Sequence, residues 1–349
     1  MIDAKSAKLA KTPTSAKTAK TGNKFFFAAF TFFAAFAFFP AFASQAAAGD
    51  RYALIVSGAA GGDQYAAKYT GWRTAITSIL LEQFKYPPDR IVVLADADEG
   101  GVRKSTRENV RQAFGDFRKR MTKDDQLLVL LIGHGTTGDG DEAKFNLVGP
   151  DLSAGEWAEL MRPIPGRLVF VNTTAASFPF LRKIAGRGRV VLTATDSSAQ
   201  QFETVFADYF VKAFGVDGAD VDKSGRVSMW EAFSFASAGV RSYFEQKGQL
   251  PTERPLLDDT GAGIGREASQ TQGTDGALAR VTYLQPEPPL VLPADAAQAA
   301  LVRRRAELEA QLEELKARKE NMSPEQYDLE LEKVLIEIAR VGAQLRTKS

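Results

Sequence analysis

Residues 126–138, QLLVLLIGHGTTG, constrain the chain more than any other stretch. Leu127 to Ile132 are all aliphatic, with no polar alternation, which suits a strand covered on both faces of a sheet. Such a strand needs parallel neighbours beside it and helices above and below, so it selects an α/β fold. The run stops at Gly133-His134-Gly135, and His134 is the single histidine of the chain. At the carboxyl end of a parallel strand it stands where open α/β sheets form their ligand crevices. The flanking glycines allow the backbone to approach a ligand closely.

The surrounding sequence alternates strand and helix. Strands are expected at Tyr52–Ser57, Ile91–Ala95, Arg167–Asn172 and Arg189–Ala194, with a short hairpin piece at Phe145–Val148. Helices are expected from Asp63, a possible N-cap, to about Phe84, and from a Ser105/Glu108 capping box to about Met121. Further helices follow from a Ser153 cap through Met161, over Glu203–Phe214 and over Met229–Gln246, while Leu256–Gly265 reads as a loop. Strands separated by helices imply a mostly parallel, doubly wound sheet with right-handed crossovers.

The two ends differ in kind. Residues 1–43 hold Lys5, Lys8, Lys11, Lys17, Lys20 and Lys24 against one acid, Asp3, and then an unbroken Phe/Ala/Thr run from Phe25 to Phe39. With Ala-Phe-Ala before Ser44 this reads as a secretory signal peptide, which places the mature chain in the periplasm or outside the cell and off the membrane. An uncleaved anchor over Phe25–Ala43 is the rival reading. The remaining charge is close to balanced, which gives no footprint for nucleic acid. The chain has no cysteine, which excludes disulfides, thiolate metal sites and a thiol nucleophile. At the other end, 266–293 reads as a polar and proline-rich linker. Residues 294–347 read as two amphipathic helices broken at Met322-Ser323-Pro324, with apolar positions at Leu308, Leu312, Leu315, Leu331, Leu335, Ile338, Val341 and Leu345. They imply a helical hairpin that folds on itself, on the α/β domain or on a second chain.

Asp220 to Glu231 fits the twelve-residue EF-hand loop. Asp220, Asp222, Ser224 and Ser228 stand at positions 1, 3, 5 and 9, Gly225 at 6, Val227 at 8 and Glu231 at 12. Arg226, at position 7, would offer its backbone carbonyl. The oxygen set suits Ca²⁺, and the alternative is a polar turn between helices. A lone loop without a paired second one argues for a structural ion over a sensor.

The runs YALIVSG, LLVLLIGHGTTGD and LVFVNTTAAS together resemble the legumain-like and caspase-like peptidases over 51–265. The resemblance implies a three-layer caspase-haemoglobinase-like sheet, with a His-Gly after one core strand and a catalytic cysteine after the next. It puts His134 in the histidine role, the Gly135 N–H as an oxyanion donor, and Ala175 where the cysteine belongs. A methyl group cannot attack a carbonyl. The expectation is therefore a secreted pseudopeptidase that binds a protein or peptide through the His134 crevice and the hairpin. One alternative is a working hydrolase that uses Thr174 or Ser177 with His134, and Asp139 or Asp141 as the orienting acid. Another is a Ca²⁺-stabilised envelope protein whose crevice is unused.

Overall fold

The computed structural model describes residues 49–349, apart from 99, 139–141, 201, 272, 288–291, 319–321 and 348–349. The leader over 1–43 and the acids Asp139 and Asp141 therefore lie outside the described residues. The strands are β1 (Arg51–Ser57), β2 (Ile91–Ala95), β3 (Arg103–Lys104), β4 (Gln126–Ile132), β5 (Gly135–Thr137), β6 (Ala143–Phe145), β7 (Leu152–Ser153), β8 (Arg167–Asn172), β9 (Arg189–Thr193) and β10 (Leu256–Asp258). The helices are α1 (Asp63–Ser78), α2 (Arg107–Arg120), α3 (Ala154–Met161), α4 (Phe178–Ile184), α5 (Phe206–Lys212), α6 (Met229–Gln246), α7 (Ala277–Arg280), α8 (Ala296–Arg318) and α9 (Pro324–Thr347).

The main sheet runs β10-β9-β8-β4-β1-β2-β3. Every neighbouring pair is parallel except β10 with β9. From β1 the chain builds outward through β2 and β3, then returns to the other side of β1 for β4, β8 and β9. The strand order therefore reverses between β1 and β4, the place where such sheets open a crevice at their carboxyl ends.

All seven residues of β4 are buried. Leu128, Leu130 and Ile132 join the apolar cluster that contains Tyr69, Ile76, Phe210 and Phe233, from α1, α5 and α6. Leu127, Val129 and Leu131 join the cluster that contains Phe117, Trp157 and Phe180, from α2, α3 and α4. Helices thus cover both faces, which is why the strand shows no alternation.

Local chemistry shifts several expected boundaries. Thr106, not Ser105, caps α2 by accepting from the Asn109 N–H, while Ser105 is fully buried one residue earlier. Asp63 is the first residue of α1 and not its cap; Gly62 holds that place without a side-chain bond. Ser153 and Glu156 form a reciprocal capping box on α3. The stretch 135–153 folds as a small antiparallel sheet, β5-β6-β7, where only a short hairpin piece near Phe145 was expected. The expected loop at 256–265 contributes β10, because Leu256 to Asp258 pair antiparallel with Thr193 to Val191. The expected linker also begins later than residue 266. Asp259 accepts from the Gly276 and Ala279 amides, and the buried Tyr86 hydroxyl donates to the Leu284 carbonyl, which holds that stretch on the sheet. α8 and α9 pack against each other, with Leu308, Leu315, Tyr327 and Val341 buried. Leu335, expected inside that stripe, is 46% exposed.

Removing one β4 side chain tests how far the strand carries the fold. Leu130→Ala, at a fully buried site, should cost about 3 kcal/mol in denaturant unfolding with an unchanged slope. A loss under about 1 kcal/mol would mean that the core collapses around the vacancy and does not depend on this strand.

Candidate functional site

Beyond the ends of β1 and β4 the chain parts. The Gly58 N–H still reaches the Ile132 carbonyl at 2.9 Å, and the next amide, Ala59 N–H, crosses to the Asn146 carbonyl at 3.1 Å. This divergence opens a crevice of about 320 Å³, lined by residues after β4, β8 and β9 and by one face of α1.

His134 lies on its wall, half-buried. Its Nε2 lies 3.2 Å from the Ala60 carbonyl and 3.1 Å from the Tyr69 hydroxyl. A carbonyl can only accept, so Nε2 carries the proton, and in the neutral ring Nδ1 is the basic nitrogen. The rings of Tyr65 and Tyr69 meet the imidazole edge-on at 4.6 and 5.5 Å. Burial, and then the charge of Glu203, hold the Tyr69 phenol well above its ordinary range, so it remains a neutral partner. A backbone carbonyl and a tyrosine therefore orient His134 through Nε2.

Gly135 sits where β5 presses on the turn after β8. A Cβ there would lie 2.9 Å from each of Ala176 Cβ, the Lys144 carbonyl and Thr174 Oγ1, so only glycine fits. Ladder bonds from Asn146 N–H to the His134 carbonyl and from Gly138 N–H to the Glu142 carbonyl flank it. Alternation makes Gly135 and Phe145 a non-hydrogen-bonded pair, which leaves the Gly135 N–H outside the ladder.

The sequence-predicted hydroxyls fare differently from His134. Ala175 lines the crevice, but Thr174 and Ser177 do not. Ser177 is fully buried, and its Oγ accepts from the Ala194 and Thr195 amides at 3.1 and 3.2 Å. It staples the β8 turn to the end of β9. Thr174 is 1% exposed and packed against Gly135. The two buried threonines that do reach the crevice, Thr173 and Thr204, donate their protons to the Leu131 and Thr173 carbonyls. A hydroxyl whose proton goes to a carbonyl is not poised to give it to a base.

Sequence reasoning missed the opposite wall. Tyr65, Tyr69 and Trp72 recur at helical spacing along α1, a pattern indistinguishable in sequence from a core-facing stripe. Glu203 was expected inside a helix, yet α5 starts at Phe206. The buried Glu253 carboxylate accepts from the Val205 N–H at 2.8 and 3.1 Å, and the Thr204 hydroxyl donates to the Thr173 carbonyl. Together they hold 203–205 outside the helix, with Glu203 and Thr204 on the crevice wall.

The acidic loop lies at the other edge of the sheet. Asp220, Asp222 and Glu231 bring one carboxylate oxygen each within 4.8 Å of one another. Asp220 accepts from the Ser224 and Gly225 amides at 3.0 and 2.8 Å, and Asp222 from Ser224 at 2.9 Å. Hydrogen bonding by Ser224 holds the Asp222 carboxyl below its ordinary range. Gly225 (φ 81°) and Lys223 (φ 58°) supply the left-handed turns. Ser228 and Glu231 also form the capping box of α6, so the loop's positions 9 and 12 are the cap and third residue of the following helix. The Ser224 hydroxyl donates to the Arg226 carbonyl at 3.0 Å, so a metal at that carbonyl would have to displace it. The set is all oxygen, which fits a hard cation. The Ser228–Tyr283 bridge and the Val227 N–H bond to Gln285 give the loop a β partner. The Tyr283 carbonyl in turn accepts from Gln126 at the start of β4.

Fold and site define an open α/β protein with a histidine crevice at the topological switch and an acidic loop at the opposite edge. No family model matches the chain, and comparison with curated proteins gives no match. Among solved structures, the crystal structure of protein GSU0716 from Geobacter sulfurreducens is similar over 60% of this chain and 92% of that one, at 12% identity and a TM-score of 0.39.

Glu253 gives the site a pH signature. Burial pushes its carboxyl up to about 7, against the opposing pull of the Val205 and Phe206 amides. In the unfolded chain the value is near 4.3, so folding takes up a proton between those values. The resulting stability is complete below about pH 4.3 and is lost as the pH rises through about 7. Glu253→Gln keeps an acceptor for Val205 and cannot ionise. Its stability relative to wild type should rise between about pH 5 and 8 by on the order of 2 kcal/mol. Parallel wild-type and variant profiles would show that Glu253 does not titrate in this range.

Proposed function

We propose that this chain is a binding protein on a caspase/legumain-like α/β fold, holding a peptide in the His134 crevice without cleaving it. The finer reading is a three-layer caspase-haemoglobinase-like domain, exported across a membrane, followed by a helical hairpin that serves as a second contact surface. What carries the reading is Ala175: the crevice wall that bears His134 also bears a methyl group where the resemblance calls for a thiol. The hydroxyls that might replace it are buried off the crevice or donate to carbonyls. His134, Gly135 and their supports would then serve recognition, with an imidazole and a free amide as polar anchors.

Wild type and His134→Ala should both leave a general peptide library at background. Ala175→Cys should place a thiol that alkylates faster than a free cysteine, because an adjacent imidazole favours the thiolate. Turnover by wild type that is lost in His134→Ala, Thr174→Ala or Ser177→Ala would sink the non-hydrolytic reading.

We further infer that Asp220, Asp222, Ser224, the Arg226 carbonyl, Ser228 and Glu231 hold Ca²⁺ as a structural ion. With a dissociation constant of about 10⁻⁴ M, Ca²⁺ at about 10 mM should stabilise the fold by roughly 2.7 kcal/mol, or about 5–10 °C in melting temperature. Mg²⁺ should do much less, and Glu231→Gln should abolish most of the shift. Arg226→Ala should keep the shift but lose about 0.5–1 kcal/mol without metal, because the guanidinium stacks 3.9 Å over the Tyr283 ring. A wild-type shift below about 1 °C leaves the loop a polar turn.

A further inference from the structure

We propose that the outer face of α9 is a self-complementary docking surface for a second copy of this chain, the two α9 helices packing antiparallel across a two-fold axis. This names the partner of the hairpin surface proposed above and is independent of what the crevice holds. α9 carries two stripes at helical spacing. Tyr327, Leu331, Val334, Ile338 and Val341 are buried or half-buried, in a helix whose packing neighbour is α8. Glu325, Leu329, Glu332, Ile336 and Arg340 form the second stripe, and all of them are exposed. At about 100° of turn per residue the two stripes lie on opposite sides of the helix. Leu329 is 54% and Ile336 43% exposed, so the outer stripe leaves two large aliphatic side chains in water.

The order of residues in that stripe says what covers it. It reads acid, aliphatic, acid, aliphatic, base, with the exposed Lys333 beside Glu332. A two-fold axis between Glu332 and Lys333 sets Leu329 opposite Ile336 of the second copy, Glu325 opposite its Arg340, and Glu332 opposite its Lys333. Symmetry makes each of these pairs occur twice. A parallel arrangement would instead set Glu325 on Glu325 and Arg340 on Arg340, and like charges face to face oppose it. A foreign helix would need only half of this pattern. Complementarity repeated about one centre is what a second copy requires.

The hairpin as a whole has the same polarity. Residues 324–332 hold the acids Glu325, Asp328, Glu330 and Glu332 and no base, while 296–306 hold Arg303, Arg304 and Arg305 and no acid. α8 and α9 pack along each other across a short connection, so they run antiparallel. That brings the three arginines to the same end as Arg340 and Arg346, and leaves the four acids toward the tip. A second hairpin laid tip to base brings acid to base along its whole length. The ion pairs Arg304–Glu307, Arg305–Glu309 and Arg340–Glu337 run along single helices at exposed sites, where such pairs contribute little and exchange readily.

The test is sedimentation velocity of the full chain from about 5 to 300 µM, a range that suits the weak end of small interfaces. Wild type should pass from monomer to dimer across it. Ile336→Glu, at an exposed site, should weaken association by about tenfold or more and leave the circular dichroism spectrum unchanged. Glu325→Arg and Arg340→Glu should each weaken it, because each sets like charges opposite one another, and the double variant should recover most of the loss. The chain has no cysteine, so orientation can be read directly. A tagged Leu329→Cys chain mixed with an untagged Ile336→Cys chain and a short bismaleimide should cross-link to each other in preference to themselves. A monomer up to about 300 µM, or a dimer indifferent to Ile336→Glu, would overturn the proposal. Charge reversals that the double variant does not rescue, or Leu329→Cys chains that cross-link chiefly to themselves, would refute the antiparallel pairing. Peptide binding in the crevice is measured separately, so neither reading falls with the other.

Discussion

The architecture depends on one constraint: β4 can be buried only if apolar side chains cover it on both faces. Leu127 to Ile132 leave no polar face to turn toward water, so the sheet must be parallel at its centre and helices must close both sides. That requirement forces the crossovers, and the crossovers put the reversal of strand order beside this strand. His134 is where it is because the strand ends there. The crevice is a consequence of how a two-sided strand is covered, and its chemistry was added at the point where covering stops.

The same geometry separates the two candidate sites. The crevice opens at the carboxyl edge of the sheet, while the acidic loop is tied through Tyr283 to Gln126, at the amino end of β4. Seven residues of strand put them roughly 20 Å apart. A cation in the loop would therefore stabilise the fold as a whole and make no contact with a ligand in the crevice. Its influence there would come through the population of folded chain.

How much was legible in the sequence follows from the range of the interactions involved. β4, β8 and β9, the helix cap at Ser153 and the twelve-residue acidic loop are written in contiguous residues, and each stands close to where the pattern puts it. Apart from the caps of α1 and α2 and the small β5-β6-β7 sheet, which are local, the misses are long-range. β10 is three residues long and forms because β9 offers an unpaired edge. The start of α5 moves past Glu203 because Glu253, far along the chain, takes the Val205 amide. The partners of His134 are a carbonyl and a tyrosine from the β1–α1 region, and a backbone carbonyl has no signature in any sequence.

The two ends of the main sheet bear on how copies of this chain could meet. β3 is two residues long and β10 three. Edges so short offer a neighbouring strand almost no ladder to extend, which protects the molecule from growing sheet to sheet into fibres. Self-association would have to run through side chains, and Leu329, Leu335 and Ile336 stand exposed on α9, away from any strand. A parallel core that must be slow to assemble is thus fenced at both margins against templating its own aggregation.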